Sequence, residues 1–268
     1  MYVVLLHLPI GIFDSGIGGI SVAQAVHQLL PSEDIMYIAD TGFMPYGSKS
    51  TEQVLKRCDT IVSHFCKQGS KAIVVACNTA TMAAISTLRA RTDIPIIGVE
   101  PGVKPALANS QTGIIGVLAT PSTIASSSFQ RLCERQLQGH GEIVYQPCPE
   151  LAPSIEALKL EGEHIESMLR QYTQPLLNQG VDTLVLGCTH YAFVAKALAN
   201  VVPKHVRIIT TEHAVARQVQ RRLGECALKP HGQGNIALMT SGSLAPFKAQ
   251  VRTLWPALHD TQLRRFTY

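Results

Sequence analysis

Two nonapeptides constrain what this chain can fold into. Residues 72–80 read AIVVACNTA and residues 183–191 read TLVLGCTHY. Each is an apolar run, mostly β-branched or Leu, followed by a small residue, a cysteine and a polar pair. Near-continuous apolar runs of this length belong to strands covered on both faces. Cys77 and Cys188 lie 111 positions apart, so each closes the same kind of strand in a separate half of the chain. Two buried strands ending in the same thiol describe a site with a thiol on either side. Such a site suits removal of a proton from one face of a carbon and its return to the other.

The strand signal recurs at 10–13, 35–39, 72–76, 95–99, 113–118, 142–145, 183–186, 206–209 and 235–240. Helical patterns run between them, including 20–30, 51–68, 123–138, 162–179 and 212–223, with Gly69 and Gly180 as helix stops. Alternation of this kind means βα units and largely parallel sheets. The pattern restarts near residue 110, where IGVLATP at 115–121 resembles IGIFDSG at 10–16. The chain therefore reads as an α/β protein of two similar domains, with the active site in the cleft between them. Residues 9–100 plus 209–268 form the Cys77 side, and residues 101–208 the Cys188 side.

Composition narrows the class. With 268 residues, 46% hydrophobic and only 16% charged, the chain has ample material for a core and none of the marks of disorder. The net charge of +4 is spread among both signs without a basic block, so no nucleic-acid footprint is visible. The start, MYVVLLHLPI, is too short for a membrane span and lacks the basic residues of a signal peptide. It reads as an extension, Met1–Leu8, of a cytoplasmic protein. Seven cysteines without a CxxC support neither a metal site nor a disulfide framework. Cys58, Cys66 and Cys133 fall in helical patterns, as small buried residues do.

In open α/β sheets, ligands bind beyond the carboxyl ends of the strands. Four polar loops qualify: DSGIGG at 14–19, DTGFMPYG at 40–47, CNTA at 77–80 and CTH at 188–190. No GxGxxG or GxxxxGK[ST] pattern occurs, which disfavours nucleotides. A cysteine opening a helix meets the positive end of the dipole, which favours the thiolate a base requires. Taken singly, either cysteine reads as structural; in matching contexts the pair reads as catalytic. His190 is either a surface or capping residue or a partner of Cys188. A hydrolase using Cys188 with His190 stays open, although residues two apart make an awkward pair. So does a non-catalytic binding protein that closes on a dicarboxylate.

DSGIGG, PYG, ACNTAT and LGCTH, in this order, resemble the cofactor-independent glutamate racemases of bacterial cell-wall synthesis, over residues 9 to the low 220s. The His after GCT is similar to glutamate rather than aspartate racemases, whose motif ends GCTE. The resemblance implies interconversion of L- and D-glutamate by two bases, thiolate and thiol, supplying D-glutamate for peptidoglycan. It implies no pyridoxal phosphate, no other cofactor and no metal. Cys77 would deprotonate D-glutamate and Cys188 L-glutamate. Substrate-binding roles fall to Asp14, Ser15, Tyr46, Gly47, Asn78, Thr79, Thr120, Thr123, Thr189 and His190, and assisting roles to Asp40 and Glu156. The implied partner is the small-molecule substrate, in a homodimer that needs neither nucleic acid nor membrane. Three features fall outside the pattern: the lack of a basic residue just before PYG, the extension Met1–Leu8, and Arg264–Arg265, read as a solvated tail.

Overall fold

A computed structural model describes residues 7–225 and 232–267. Most of the extension Met1–Leu8, and Cys226, lie outside the described residues. The chain divides into two compact units, Met1–Val99 with Glu212–Tyr268, and Glu100–Thr211. The first begins β1 (Ile10–Asp14), α1 (Ile20–Leu29), β2 (Ile35–Ala39), α2 (Thr51–Lys67), β3 (Ala72–Val75), α3 (Asn78–Arg89) and β4 (Ile96–Gly98). The second runs α4 (Val103–Asn109), β5 (Ile114–Ala119), α5 (Pro121–Ala125), α6 (Ser127–Leu137), β6 (Glu142–Pro147) and α7 (Leu151–Glu156). It closes with α8 (Glu163–Leu177), β7 (Thr183–Leu186), α9 (Ala195–Val201) and β8 (Arg207–Ile209). The chain then returns to the first unit as α10 (Glu212–Glu225), β9 (Ile236–Thr240), α11 (Leu244–Leu254) and β10 (Leu263–Arg265).

Among the described residues every strand pairing is parallel. The first sheet has the order β10-β9-β2-β1-β3-β4 and the second β6-β5-β7-β8. Apart from β9 and β10, the two orders are the same, with β1, β2, β3 and β4 matching β5, β6, β7 and β8. Registers match as well: Phe13 lies opposite Val75, and Leu118 opposite Leu186. Each cysteine therefore stands two residues past the equivalent pair. The strands β1, β2, β3 and β7 are buried along their length, the condition that makes their sequences continuously apolar, whereas β6 and β8 are only half-buried. Among the described residues no helix is long and apolar enough to cross a membrane.

Helix limits follow local chemistry. Ser50 and Gln53 form a reciprocal capping box at the start of α2, and Gly69 and Gly180 end their helices at φ of +72° and +81°. Two expectations are corrected. The helix read over 123–138 is two helices, because Ser126 leaves the helical region (φ −70°, ψ 120°) and its hydroxyl accepts the Phe129 N–H that opens α6. Arg264–Arg265 is not a solvated tail. It forms the edge strand β10, and the next residue, Phe266, is buried with its ring 4.8 Å from that of His64. One apolar anchor after a polar pair outweighs the polarity of the segment.

Carboxylates tie distant segments together. Asp34 accepts the N–H groups of His7, Gln233 and Asn235, joining the start of β2 to that of β9. Asp182, before β7, accepts from the Ser110 hydroxyl at 2.6 Å and from the N–H groups of Gln111 and Thr112 at 2.6 and 2.9 Å. Burial alone would raise the Asp182 carboxyl, but these bonds outweigh it and hold it at about 2. A depressed carboxyl stabilises the fold above its unfolded value, and that gain disappears as pH falls through the folded value. Asp182→Asn is expected to lower stability by on the order of 1 kcal/mol at neutral pH, after allowance for solvent screening. Denaturant midpoints should show the gap to wild type closing as pH is lowered from about 4 toward 2.

Candidate active site

In the first unit the site is built on the carboxyl ends of β1, β2 and β3. Asp14, fully buried, turns its carboxylate back on the loop it opens. One oxygen accepts the Ser15 N–H at 2.7 Å and the other the Gly19 N–H at 2.8 Å. A Cβ at Gly19 would lie 2.8 Å from that of Asp14, so the closure requires glycine. The Tyr37 hydroxyl braces the same turn by donating to the Gly16 carbonyl at 2.7 Å. Cys77 is the N-cap residue of α3, and its Sγ lies 3.7 Å from the Ser15 hydroxyl, toward which it donates. Asn78, in the first turn of α3, is buried, and both its amide nitrogen and its amide oxygen lack a partner among the described residues. Burying such an amide is costly unless a ligand supplies the missing donor and acceptor. Thr79 beside it is partly buried.

Tyr46 and Gly47 begin a short 3-10 turn after β2. The Tyr46 side chain is buried and donates to Asp40 at 2.8 Å. Burial first, then Cys58, Asp40 and Cys77, push its phenol well up, so it stays protonated. Its hydroxyl is thus committed inward, and the exposed side of the turn is Gly47.

The second unit repeats the plan with different chemistry. Cys188 has the backbone of Cys77 (φ −143°, ψ 135° against −138°, 122°) and caps the 3-10 turn Thr189–Val194. Where Cys77 faces a hydroxyl, Cys188 faces an imidazole: Sγ lies 3.7 Å from His190 Nδ1. The far nitrogen, Nε2, lies 2.7 Å from Glu156 at the end of α7. The carboxylate holds the hydrogen on Nε2, which leaves Nδ1 to accept from a thiol or, once protonated, to stabilise a thiolate. His190 is buried and no surface residue, and the two side chains meet despite lying two apart in sequence. Thr120 caps α5 and donates to the buried Thr123 at 2.9 Å, and Thr189 is buried next to Cys188. Burial foremost, with Cys188 nearby, pushes the Cys148 thiol up, so it stays protonated.

Reading the sequence missed Tyr37, Arg57 and Ser241. Arg57 forks onto Asp40 with both contacts at 2.7 Å, and Ser241 donates to Asp40 at 2.6 Å. The signal for Arg57 was the buried-strand ending IMYIAD, whose acid needs a counter-charge. Ser241 carries no such signal, because only the pairing of β9 with β2 brings it near.

A model of the Asp/Glu/hydantoin racemase family matches residues 19–219. A protein of Ectopseudomonas mendocina named glutamate racemase is 49% identical over 218 residues, covering 81% of this chain and 82% of its own length. A glutamate racemase crystal structure from Bacillus anthracis superposes with a TM-score of 0.86 at 30% identity, covering 98% of this chain and 97% of its own. One from Francisella tularensis, in complex with D-glutamate, superposes at 0.84 with 26% identity and 97% coverage of both chains.

The cysteines should separate by reactivity. Iodoacetamide at mildly alkaline pH is expected to modify the partly exposed Cys188 in the native protein. Cys58 and Cys148, buried and with raised thiols, should react only after unfolding, as peptide mass spectrometry would read.

Proposed function

The chain belongs to the Asp/Glu/hydantoin racemase family, and from that premise we propose that it is a glutamate racemase working by two thiols without pyridoxal phosphate. One observation carries the reading: Cys77 and Cys188 occupy the same place, two residues past equivalent register pairs, in two copies of one topology. The names of its relatives, and the D-glutamate held by one solved neighbour, support glutamate as the substrate.

In this reading Cys77 removes the α-proton of D-glutamate while Cys188 supplies one from the other face, and the roles reverse for L-glutamate. Cys77 caps the α-helix α3, whose first N–H groups favour negative charge. Asp14 orders the loop that carries Ser15, and Ser15 faces Cys77. Glu156 and His190 form a relay behind Cys188, able to hold its proton or balance its charge. The orphan amide of Asn78, with Thr79, Thr120, Thr123, Thr189 and the turn at Tyr46 and Gly47, supplies the donors and acceptors for the ammonium and the two carboxylates. Holding the α-carbon within reach of both sulfurs recovers several kcal/mol of entropy, and each positioned acid or base adds ~10²–10⁴-fold. The product would feed peptidoglycan synthesis from the cytoplasm, with the enzyme acting as a homodimer.

The test is incubation with each enantiomer in D₂O, followed by NMR and chiral chromatography. Wild type should place deuterium at the α-position of the inverted product. Cys77→Ser and Cys188→Ser should each lower racemisation in both directions by at least ~10²-fold. Enantiomers have equal free energy, so kcat/KM must fall equally in both directions; only exchange without inversion can distinguish the faces. Cys188→Ser should retain exchange with D-glutamate alone, and Cys77→Ser with L-glutamate alone. Full racemisation by either variant overturns the two-base assignment. Glu156→Gln, which leaves His190 without its anion, should lower kcat by ~10-fold or more and shift the pH profile.

A further inference from the structure

We propose that Asp40, with Arg57 and Ser241, is a positioning node that sets the turn carrying Tyr46 and Gly47, in place of the thiol-assisting role its resemblance implies. The inference rests on the racemase reading for what the turn binds, though not for the node itself. A carboxylate offers about four lone-pair positions. Here all four meet donors. Oδ1 accepts from Arg57 Nη2 at 2.7 Å and from the Ser241 hydroxyl at 2.6 Å, and Oδ2 from Arg57 Nε at 2.7 Å and the Tyr46 hydroxyl at 2.8 Å. These donors are a guanidinium, a hydroxyl and a phenol. The Asp40 side chain is wholly buried and its guanidinium partner only 21% exposed. Protonating Asp40 would weaken charge-assisted bonds and cost Arg57 a bidentate anion, the expensive way to disrupt a buried pair. A group so held is a poor proton carrier and a good anchor.

The tethers reach three parts of the chain. Tyr46 lies in the turn itself, Arg57 in α2, and Ser241 follows β9, some 201 residues from Asp40. The Ser241 hydroxyl works in both directions, donating to Asp40 and accepting the Gly42 N–H at 2.9 Å. The Ser241 N–H donates to the Ala39 carbonyl, and the Thr41 and Thr240 hydroxyls meet at 2.6 Å. Arg57 also lies 5.2 Å over the Phe43 ring, which packs edge-on to Tyr46. The segment between β2 and α2 is thus clamped at Thr41, Gly42, Phe43 and Tyr46, and the node sets where Gly47 is presented.

A positioning node and an acid–base partner predict different losses. Ser241→Ala removes one tether without touching a charge, and Asp40→Asn removes the anion. We expect Ser241→Ala to raise KM for both enantiomers ~10-fold with kcat within about threefold and its pH profile unmoved. Ser241→Thr, which keeps the hydroxyl, should restore KM. Hydrogen exchange of the 41–49 peptide, read by mass spectrometry without substrate, should accelerate in Ser241→Ala and Asp40→Asn and return to wild-type rates in Ser241→Thr. Wild-type KM and exchange in Ser241→Ala overturn the node, as does an Asp40→Asn variant that shifts the kcat–pH profile while leaving KM unchanged. Should Asp40→Asn fail to fold, Ser241→Ala and Ser241→Thr carry the test alone. If wild type proves inactive on glutamate while 41–49 loosens as described, the node stands and the racemase reading falls.

Discussion

A thiol at the last extended residue after a buried parallel strand is the constraint on which the rest of the structure depends. Parallel strands send their carboxyl ends to one edge, and there the chain must turn into the next helix. At that turn the first N–H groups of the following element have no partner within that element. Cys77 and Cys188 both stand at this junction, with nearly the same backbone angles. The strand holds each sulfur rigidly, and the turn beyond it supplies partial positive charge. A loop would supply the charge without the precision.

The two junctions share geometry and differ in chemistry. Ser15 beside Cys77 is neutral and cannot exchange charge with it, whereas His190 beside Cys188 is backed by Glu156 and can. Duplication of a topology gives two equivalent positions, and divergence of the neighbours gives each its own polar surroundings.

Aspartates recur as organisers, with Asp14, Asp34 and Asp40 buried and Asp182 partly exposed. Asp14 closes its own loop, Asp34 gathers three N–H groups, Asp40 collects four donors and Asp182 pins residues 110–112 to the start of β7. For the three buried ones, fixed donors replace the water around a carboxylate, the condition under which a buried charge is tolerable. In a chain only 16% charged, this concentrates electrostatics where loops must be held still.

The sequence by itself marked β1 to β9, their parallel pairing and the two cysteines, because short apolar runs bounded by turn residues and alternating with helical patterns are what covered parallel strands require. It also marked the loops at Asp14, Asp40, Cys77 and Cys188, since tight turns demand glycine and polar caps. The break at Ser126 escaped notice because a serine inside a helical pattern is locally ambiguous, and only the bond to Phe129 resolves it. The edge strand β10 was hidden by its arginines, its placement being decided by Phe266 and a partner strand already in the sheet. The bonds of Ser241 to Asp40, of Glu156 to His190 and of Asn235 to Asp34 span 201, 34 and 201 positions. Such pairings leave no local pattern, because they exist only once strand order has brought distant segments together, and tertiary structure alone decided them.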